Sequence, residues 1–117
     1  MTEFHPFAEL RGDVLHLQIS GADAVRSFEV RCVVDLTDFG EVVGVEILDL
    51  VRQLGGGEMD PPRHKGAISW SYDDEIDALY VHVAEGRGQV QRSLMATAHV
   101  DPSGRVVAVA VPVPETV

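Results

Sequence analysis

The sequence predicts a mainly β protein: two tandem β-meander units of about four strands each, packed as a pseudo-twofold β-sandwich or barrel-like domain, with one short helix near 48–54. Segments with apolar residues at every second position alternate with clusters of Gly, Pro and Asp, which is typical of strands joined by turns. The two halves of the chain also resemble each other. Because a unit of ~50 residues buries too little surface to fold alone, we expect the two units to cover each other.

An offset of 64 residues superposes the two halves without a gap. It aligns 13–19 with 77–83 and 42–47 with 106–111, and six of the 35 pairs from 13 to 47 are identical. These identities lie at a strand start, a turn glycine and a strand core. We therefore predict an internal duplication in one globular domain, with a first repeat at 1–54, a Gly/Pro-rich linker without helix or strand at 55–66, and a second repeat at 67–117.

The second repeat shows the clearer strand pattern. Apolar residues alternate in 68–72, 79–83 and 94–100, and the final strand, 106–111, is apolar on both faces. Asp, Pro and Gly in 101–104 indicate a turn before that final strand. From the alternation in both repeats we expect sixteen side chains to face the core: Leu15, Leu17, Ile19, Cys32, Val34, Val43, Val45, Ile47, Leu79, Val81, Val83, Ala96, Ala98, Val107, Val109 and Val111.

The first repeat departs from this pattern at both ends. Pro6 falls where the offset places Trp70, so we expect an irregular edge strand or an arm there. At the other end, apolar residues in 48–54 have helical spacing, and Gly55 is suited to end a helix. We expect this helix, or a dimer partner, to pack on the reverse face of the last strands, which carries small side chains: Val42, Gly44, Val106, Ala108 and Ala110.

The composition excludes several classes of partner. Nine basic residues against nineteen acidic ones give a net charge of −10 and a pI near 4.7, which disfavours direct binding to nucleic acid and favours a basic protein partner. No apolar run is long enough to cross a membrane, and the first residues do not resemble a signal peptide. A lone cysteine, Cys32, fits a reducing compartment. We expect a soluble cytoplasmic protein.

Two segments of the second repeat resemble a known family. The runs 72–81 (YDDEIDALYV) and 100–107 (VDPSGRVV) are similar to the YuzE-like bacterial domain family, whose function is unknown. The resemblance implies a β-meander fold and supplies no catalytic residues. Single-unit members are sometimes proposed as antitoxins, which would imply a small basic partner. Ala108 and Ala110 stand where the family has Gly and Glu, whereas the first repeat keeps that ending at 43–49 and lacks the Tyr-Asp opening.

Acidic residues and histidines are the candidate metal ligands of this chain. Asp73, Glu75 and Asp77 have the spacing that begins a calcium loop, but Ala78 and Ala84 occupy positions where that loop needs Gly and Glu. We interpret these carboxylates as turn caps. Zinc would need convergence of three residues on outward strand faces, His16, His82 and His99. We expect them to be surface or interface residues, and we predict neither a metal nor a cofactor.

No pattern indicates catalysis. The serines lack a paired base, Cys32 falls in an inward strand phase, and Gly55–Gly57 lacks the Lys-Ser or Lys-Thr of a phosphate loop. We predict a non-enzymatic acidic protein-interaction or structural module that self-associates as a homodimer. One alternative is an antitoxin-like protein that masks a basic partner. Another is a small-molecule or metal binder in the cleft between repeats, near Trp70, Tyr72 and Tyr80.

Overall fold

The computed structural model describes residues 4–56 and 58–113. These residues form one antiparallel sheet in the order β1-β2-β9-β8-β3-β4-β7-β6-β5, which curls nearly into a closed barrel and confirms the predicted fold class. No helix in this part of the chain has the length and apolar character to cross a bilayer. The elements are β1 (Phe7–Arg11), β2 (Val14–Gln18), β3 (Arg26–Leu36), β4 (Val42–Leu48), α1 (Leu50–Gln53), β5 (Arg63–His64), β6 (Ser69–Asp73), β7 (Ala78–His82), β8 (Val90–Val100) and β9 (Val106–Pro112).

The two halves of the chain exchange strands within this single sheet. Each half contributes two pairs of consecutive strands, β1 with β2 and β3 with β4 from the first, and β6 with β7 and β8 with β9 from the second. Between the halves, β2 pairs with β9, β3 with β8 and β4 with β7. The halves therefore share one sheet and do not form separate sheets packed face to face.

The strand registers have pseudo-twofold symmetry. Arg31 lies directly opposite Met95, the residue 64 positions later, so the pseudo-twofold axis passes between them. The same offset converts the pair His16–Ala110 of β2 and β9 into the pair Tyr80–Glu46 of β7 and β4. The two irregularities in the ladder also lie at equivalent places, after Asp35 and after His99. Positions 64 residues apart thus occupy equivalent places in the strand ladder, toward opposite ends of the barrel.

The core follows the predicted alternation, with one change of phase. Of the sixteen predicted inward residues, thirteen belong to the core cluster and Val83 packs against it. Val43 and Val107, at the ladder irregularities, are buried but lie outside that cluster. The ladder irregularities are β-bulges, which insert one extra residue and turn the residues before it to the other face. As a result, Val106 is only 1% exposed and belongs to the core, and its equivalent Val42 packs against the core. The prediction that these two valines lie on the reverse face was wrong.

Helix α1 closes one end of the barrel. It is shorter than the predicted 48–54, and its Leu50, with the following Leu54, is buried in the core. The predicted terminator is confirmed: Gly55 has a φ of +77°, and the amides of Gly55 and Gly56 donate to the carbonyls of Arg52 and Val51 at 3.1 and 3.0 Å. The alternative that this helix packs on the reverse sheet face was wrong, because its leucines point into the barrel.

The predicted linker is part of the barrel. Met59 is buried in the core, and β5 adds a short strand to the edge of β6. The carbonyl of Glu58 accepts a hydrogen bond from the amide of Val106 at 3.0 Å, which joins this segment to the start of β9. The prediction of no regular structure at 55–66 was therefore wrong at β5, where pairing with β6 overrides the local Gly and Pro content.

Candidate functional site

Asp77 caps α1 from a neighbouring turn. Its carboxylate accepts hydrogen bonds from the amides of Val51 and Arg52 at 2.9 and 3.0 Å and from the hydroxyl of Tyr72 at 2.6 Å. Burial opposes ionisation of Asp77, but these hydrogen bonds outweigh it and lower the pKa of the carboxyl. Burial and the bond to Asp77 raise the pKa of Tyr72. The perturbed pKa values of this pair thus arise from a structural helix cap. Tyr72 also lines a cavity of about 630 Å³ beside Val51 and Met59, which is separate from the pocket lined by Trp70 and Tyr80.

Tyr80 covers the reverse face of β4. A Cβ atom built on Gly44 would lie 2.3 Å from the hydroxyl oxygen of Tyr80, so the ring occupies the space that a side chain at position 44 would need. Burial, together with the carboxylates of Asp35 and Glu46, raises the pKa of Tyr80. The space beside Gly44 is thus taken by a side chain of the same chain and not by α1, and a dimer partner on this face stays a prediction.

The three candidate histidines lie on separate strands. His16 on β2 is opposite Glu9 and Ala110, whereas His82 on β7 is opposite Gly44 and Ser69. His99 on β8 is opposite Ala108, and its Nδ1 is 2.7 Å from the hydroxyl oxygen of Ser27. Within 4–56 and 58–113, no three His, Cys, Asp or Glu side chains are grouped so that they could hold a metal ion.

A pocket of about 390 Å³ on the outer face of β5 to β7 is lined by basic and neutral groups. Lys65, the only lysine of the chain, lines it, and no carboxylate of residues 4–56 and 58–113 does. Trp70 borders the pocket but is only 3% exposed, and the ring of His64 stacks on it at 4.4 Å. The remaining lining residues are Arg63, Ser69, Ser71, Tyr80 and His82. This local positive charge is unusual in an acidic chain.

The two ends of the barrel have equivalent strand registers, but in the described part of the chain only one of them is covered by a helix. We call the end closed by α1 and Met59 the covered end, and its pseudo-twofold equivalent the open end. The open end is a groove of about 590 Å³ whose apolar lining comes from five hydrophobic residues and Ala84: Leu10, Val42, Ile68, Val83 and Val113. Within the described chain, no helix covers it. An apolar cavity at the mouth of a barrel is a preferred place for binding.

Exposure at equivalent positions reflects this difference in cover. Val106 and Ile19 lie toward the covered end and are buried, with at most 1% of each residue exposed. Their equivalents, Val42 and Val83, line the open groove and are only partly buried. The same apolar positions are thus sealed at one end and reachable from solvent at the other.

Charge at the two ends also differs. At the covered end, the side chain of Arg105 pairs with Glu58 at 3.2 Å. The offset places Glu41 at the equivalent of Arg105, so the open end carries an acid where the covered end carries a base. Asp13, the equivalent of the helix-capping Asp77, also lines the open end, and no Lys or Arg does. The rim of this groove is therefore negatively charged.

Sequence reasoning had not selected Asp13 as a ligand or Glu41 as a site residue. The signal was present in the aligned repeats, where an acid replaces a base at the pair Glu41–Arg105. Of the predicted interaction residues, Val106 lies in the core, and Ala108 and Ala110 remain half-buried on the outer face of β9. Comparisons with family models, curated proteins and solved structures returned no match to this chain.

Proposed function

We propose that this chain is a non-enzymatic protein-interaction module that receives an apolar segment of a basic partner protein at the open end of its barrel. The observation that supports the proposal is that the two barrel ends have equivalent strand pairing but differ in what covers them. One end is sealed by Leu50, Leu54 and Met59, and the other presents a groove of about 590 Å³ with an apolar lining. Full burial of one Leu or Met side chain contributes about 1.5–3 kcal/mol, so filling this groove would be favourable.

Charge favours a basic partner over a second copy of the chain. Asp13 and Glu41 line the groove, and the chain as a whole carries a net charge of −10. Two such copies repel each other, whereas a basic protein is attracted and oriented before contact. An antitoxin-like protein that masks a small basic partner is one form that this function would take. The homodimer predicted from the sequence stays a prediction, with sedimentation as its measurement.

The proposal is tested by cross-linking in the cells that make the protein. A photo-activated amino acid is placed at Leu10, in the open groove, or at Val25, an equally exposed apolar position whose amide bonds to Val100 near the covered end. We expect Leu10 to capture a basic protein that Val25 does not, and capture to fall with Glu41→Lys. The same products from both positions, or none from Leu10, would contradict the proposal.

A second candidate function is the binding of a small anionic molecule in the pocket of β5 to β7. The grouping of Lys65 and Arg63 beside two serines, with no carboxylate in the part of the lining that the structure describes, supports it. We expect inorganic phosphate or pyrophosphate to raise the melting temperature, and Lys65→Ala to abolish that rise. Arg87→Ala removes the same charge outside the pocket and serves as the control. Equal responses of the two variants would exclude a specific site.

A further inference from the structure

We infer that the segment bound at the open end is a short helical turn with two apolar side chains four residues apart, followed by a Lys or Arg. This inference rests on the proposed function and specifies its partner. It comes from the pseudo-twofold symmetry, because the covered end shows what an equivalent groove accepts. The occupant there is the chain's own segment from Leu50 to Met59.

The occupant of the covered end is held at three points. Leu50 and Leu54, four residues apart on one turn, fill the barrel. Asp77 binds the amides of Val51 and Arg52 at the start of that turn. After a glycine turn, Glu58 lies beside Arg105 in a parallel bridge, and its carbonyl accepts the amide of Val106.

The open end repeats the backbone that holds these points. The bond from the Val83 amide to the Val43 carbonyl, at 3.0 Å, is the equivalent of the bond from Ile19 to Val107, at 2.8 Å. The bond from Thr37 to Glu41, at 2.8 Å, is the equivalent of the bond from Asp101 to Arg105, at 3.0 Å. The rim therefore has the same shape at both ends. Among the described residues, a helical turn is seated only at the covered end, and at the open end the amide of Val113 donates to the carbonyl of Asp13 at 2.7 Å.

Each holding point has a counterpart at the open end. Asp13 replaces Asp77, and among the described residues its carboxylate accepts no hydrogen bond, which leaves it able to bind backbone amides at the start of a turn. At the covered end, the amide of Val106 donates a hydrogen bond to the carbonyl of Glu58. Within 4–56 and 58–113, the equivalent amide, that of Val42, donates no such bond to a residue outside the named strands. Glu41 replaces Arg105, so a base must replace Glu58 in the occupant.

A second copy of the chain does not fit this description. Its own helical turn is buried, with Leu50 fully inaccessible, and its Glu58 would meet Glu41 with like charge. Donation of that turn to another copy would expose the donor's core. A separate protein with a basic, leucine-containing turn meets neither obstacle.

The test uses the full chain and two labelled peptides of sequence 49–59, one native and one with Glu58→Lys. By fluorescence anisotropy we expect the Lys peptide to bind with a Kd of about 0.1–1 mM, since a short peptide loses conformational freedom on binding. We expect the native peptide to bind about two- to fivefold more weakly, which is the range for a single surface ion pair. The chain variant Glu41→Lys should reverse this order, and Asp13→Asn should weaken both peptides.

Amide NMR spectra identify the end that is occupied. We expect the peptide to shift the amide signals of Val42 and Asp13 and to leave that of Val106 unchanged. A shift at Val106 would mean that the peptide displaces α1, and it would overturn the inference. The inference also fails if Glu41→Lys leaves the peptide preference unchanged, if neither peptide binds, or if sedimentation shows a dimer that Leu10→Glu dissociates. If a basic protein is cross-linked at Leu10 but neither peptide binds, the proposed function is supported and only the inferred helical-turn partner is excluded.

Discussion

The helix cap at Asp77 offers a sharp test, because the pseudo-twofold symmetry supplies its own control. In Asp77→Asn, the side chain loses its charge and keeps one acceptor oxygen. An NH2 group replaces the other oxygen, and it cannot accept the hydrogen bond that a backbone amide donates there. Asp13→Asn makes the same chemical change at the equivalent position, where within 4–56 and 58–113 no amide donates to the carboxylate and only the backbone carbonyl accepts one, from Val113. We expect the first variant to be destabilised and the second to lie within about 0.5 kcal/mol of wild type.

The magnitude follows from the number of groups affected. Asp77 accepts two backbone amides and the Tyr72 hydroxyl, so its replacement affects three hydrogen bonds in a half-buried place. Loss of a helix cap costs about 0.5–2 kcal/mol, and hydrogen bonds to a charged group contribute about 1.5–3 kcal/mol. We therefore expect about 2 kcal/mol for Asp77→Asn, or a urea midpoint lowered by roughly 1 M. Fluorescence of the buried Trp70 reports unfolding.

Acid provides a second readout of the same cap. The pKa of Asp77 is lowered in the folded state, so its stabilising effect is complete above the unfolded pKa and is lost as pH falls through the folded pKa. The difference between wild type and Asp77→Asn should thus stay constant from pH 7 to about 5 and shrink below about pH 4. Equal stability of the two proteins at pH 7, or an Asp13→Asn effect as large as that of Asp77→Asn, would refute the reasoning.

Three further predictions concern packing. Gly44→Ala should lower the free energy of unfolding by about 1–3 kcal/mol in thermal unfolding, because the added Cβ meets Tyr80. Tyr80→Ala should remove that clash in the double variant, so destabilisations that simply add would contradict the prediction. Leu50→Ala should lower the free energy of unfolding by about 2–5 kcal/mol in urea, and Leu48→Ala, at a half-exposed position, should lower it much less. Similar losses of stability would argue against the role of α1 in closing the barrel. Cys32, whose pKa burial raises to about 11, should react with a thiol reagent only after unfolding, and rapid reaction of the native protein would show that its strand opens.

The fold class was predictable because its signals are local. Alternation with period 2 marks strands whatever their partners are, so the inward residues could be assigned from the sequence for both repeats. Gly55 could be assigned as a helix terminator for the same reason, since its positive φ is a property of one turn. The bulges were not predictable from alternation, because one inserted residue moves Val42 and Val106 to the inner face without altering the apolar pattern around them.

The pairing of strands between the halves could not be read from periodicity. Nothing in the sequence of β4 states that its second neighbour, on the side away from β3, is β7 of the other repeat. The candidate site depends on that pairing, because it is what makes the two barrel ends equivalent. Sequence analysis therefore found the acidic character of the chain but not the place where two of its acids, Asp13 and Glu41, line an apolar groove.

The pairing of strands between the two halves also accounts for some of the side-chain differences between them. Tyr80 of the second repeat lies across Gly44 of the first, and a Cβ at position 44 would overlap its hydroxyl. At the equivalent place the offset puts His16 and Ala108, a smaller ring beside a residue that has a Cβ. Because each contact joins one strand from each half, a large ring in one repeat restricts its neighbour in the other. At this contact the substitutions are thus paired across the sheet, Tyr with Gly and His with Ala.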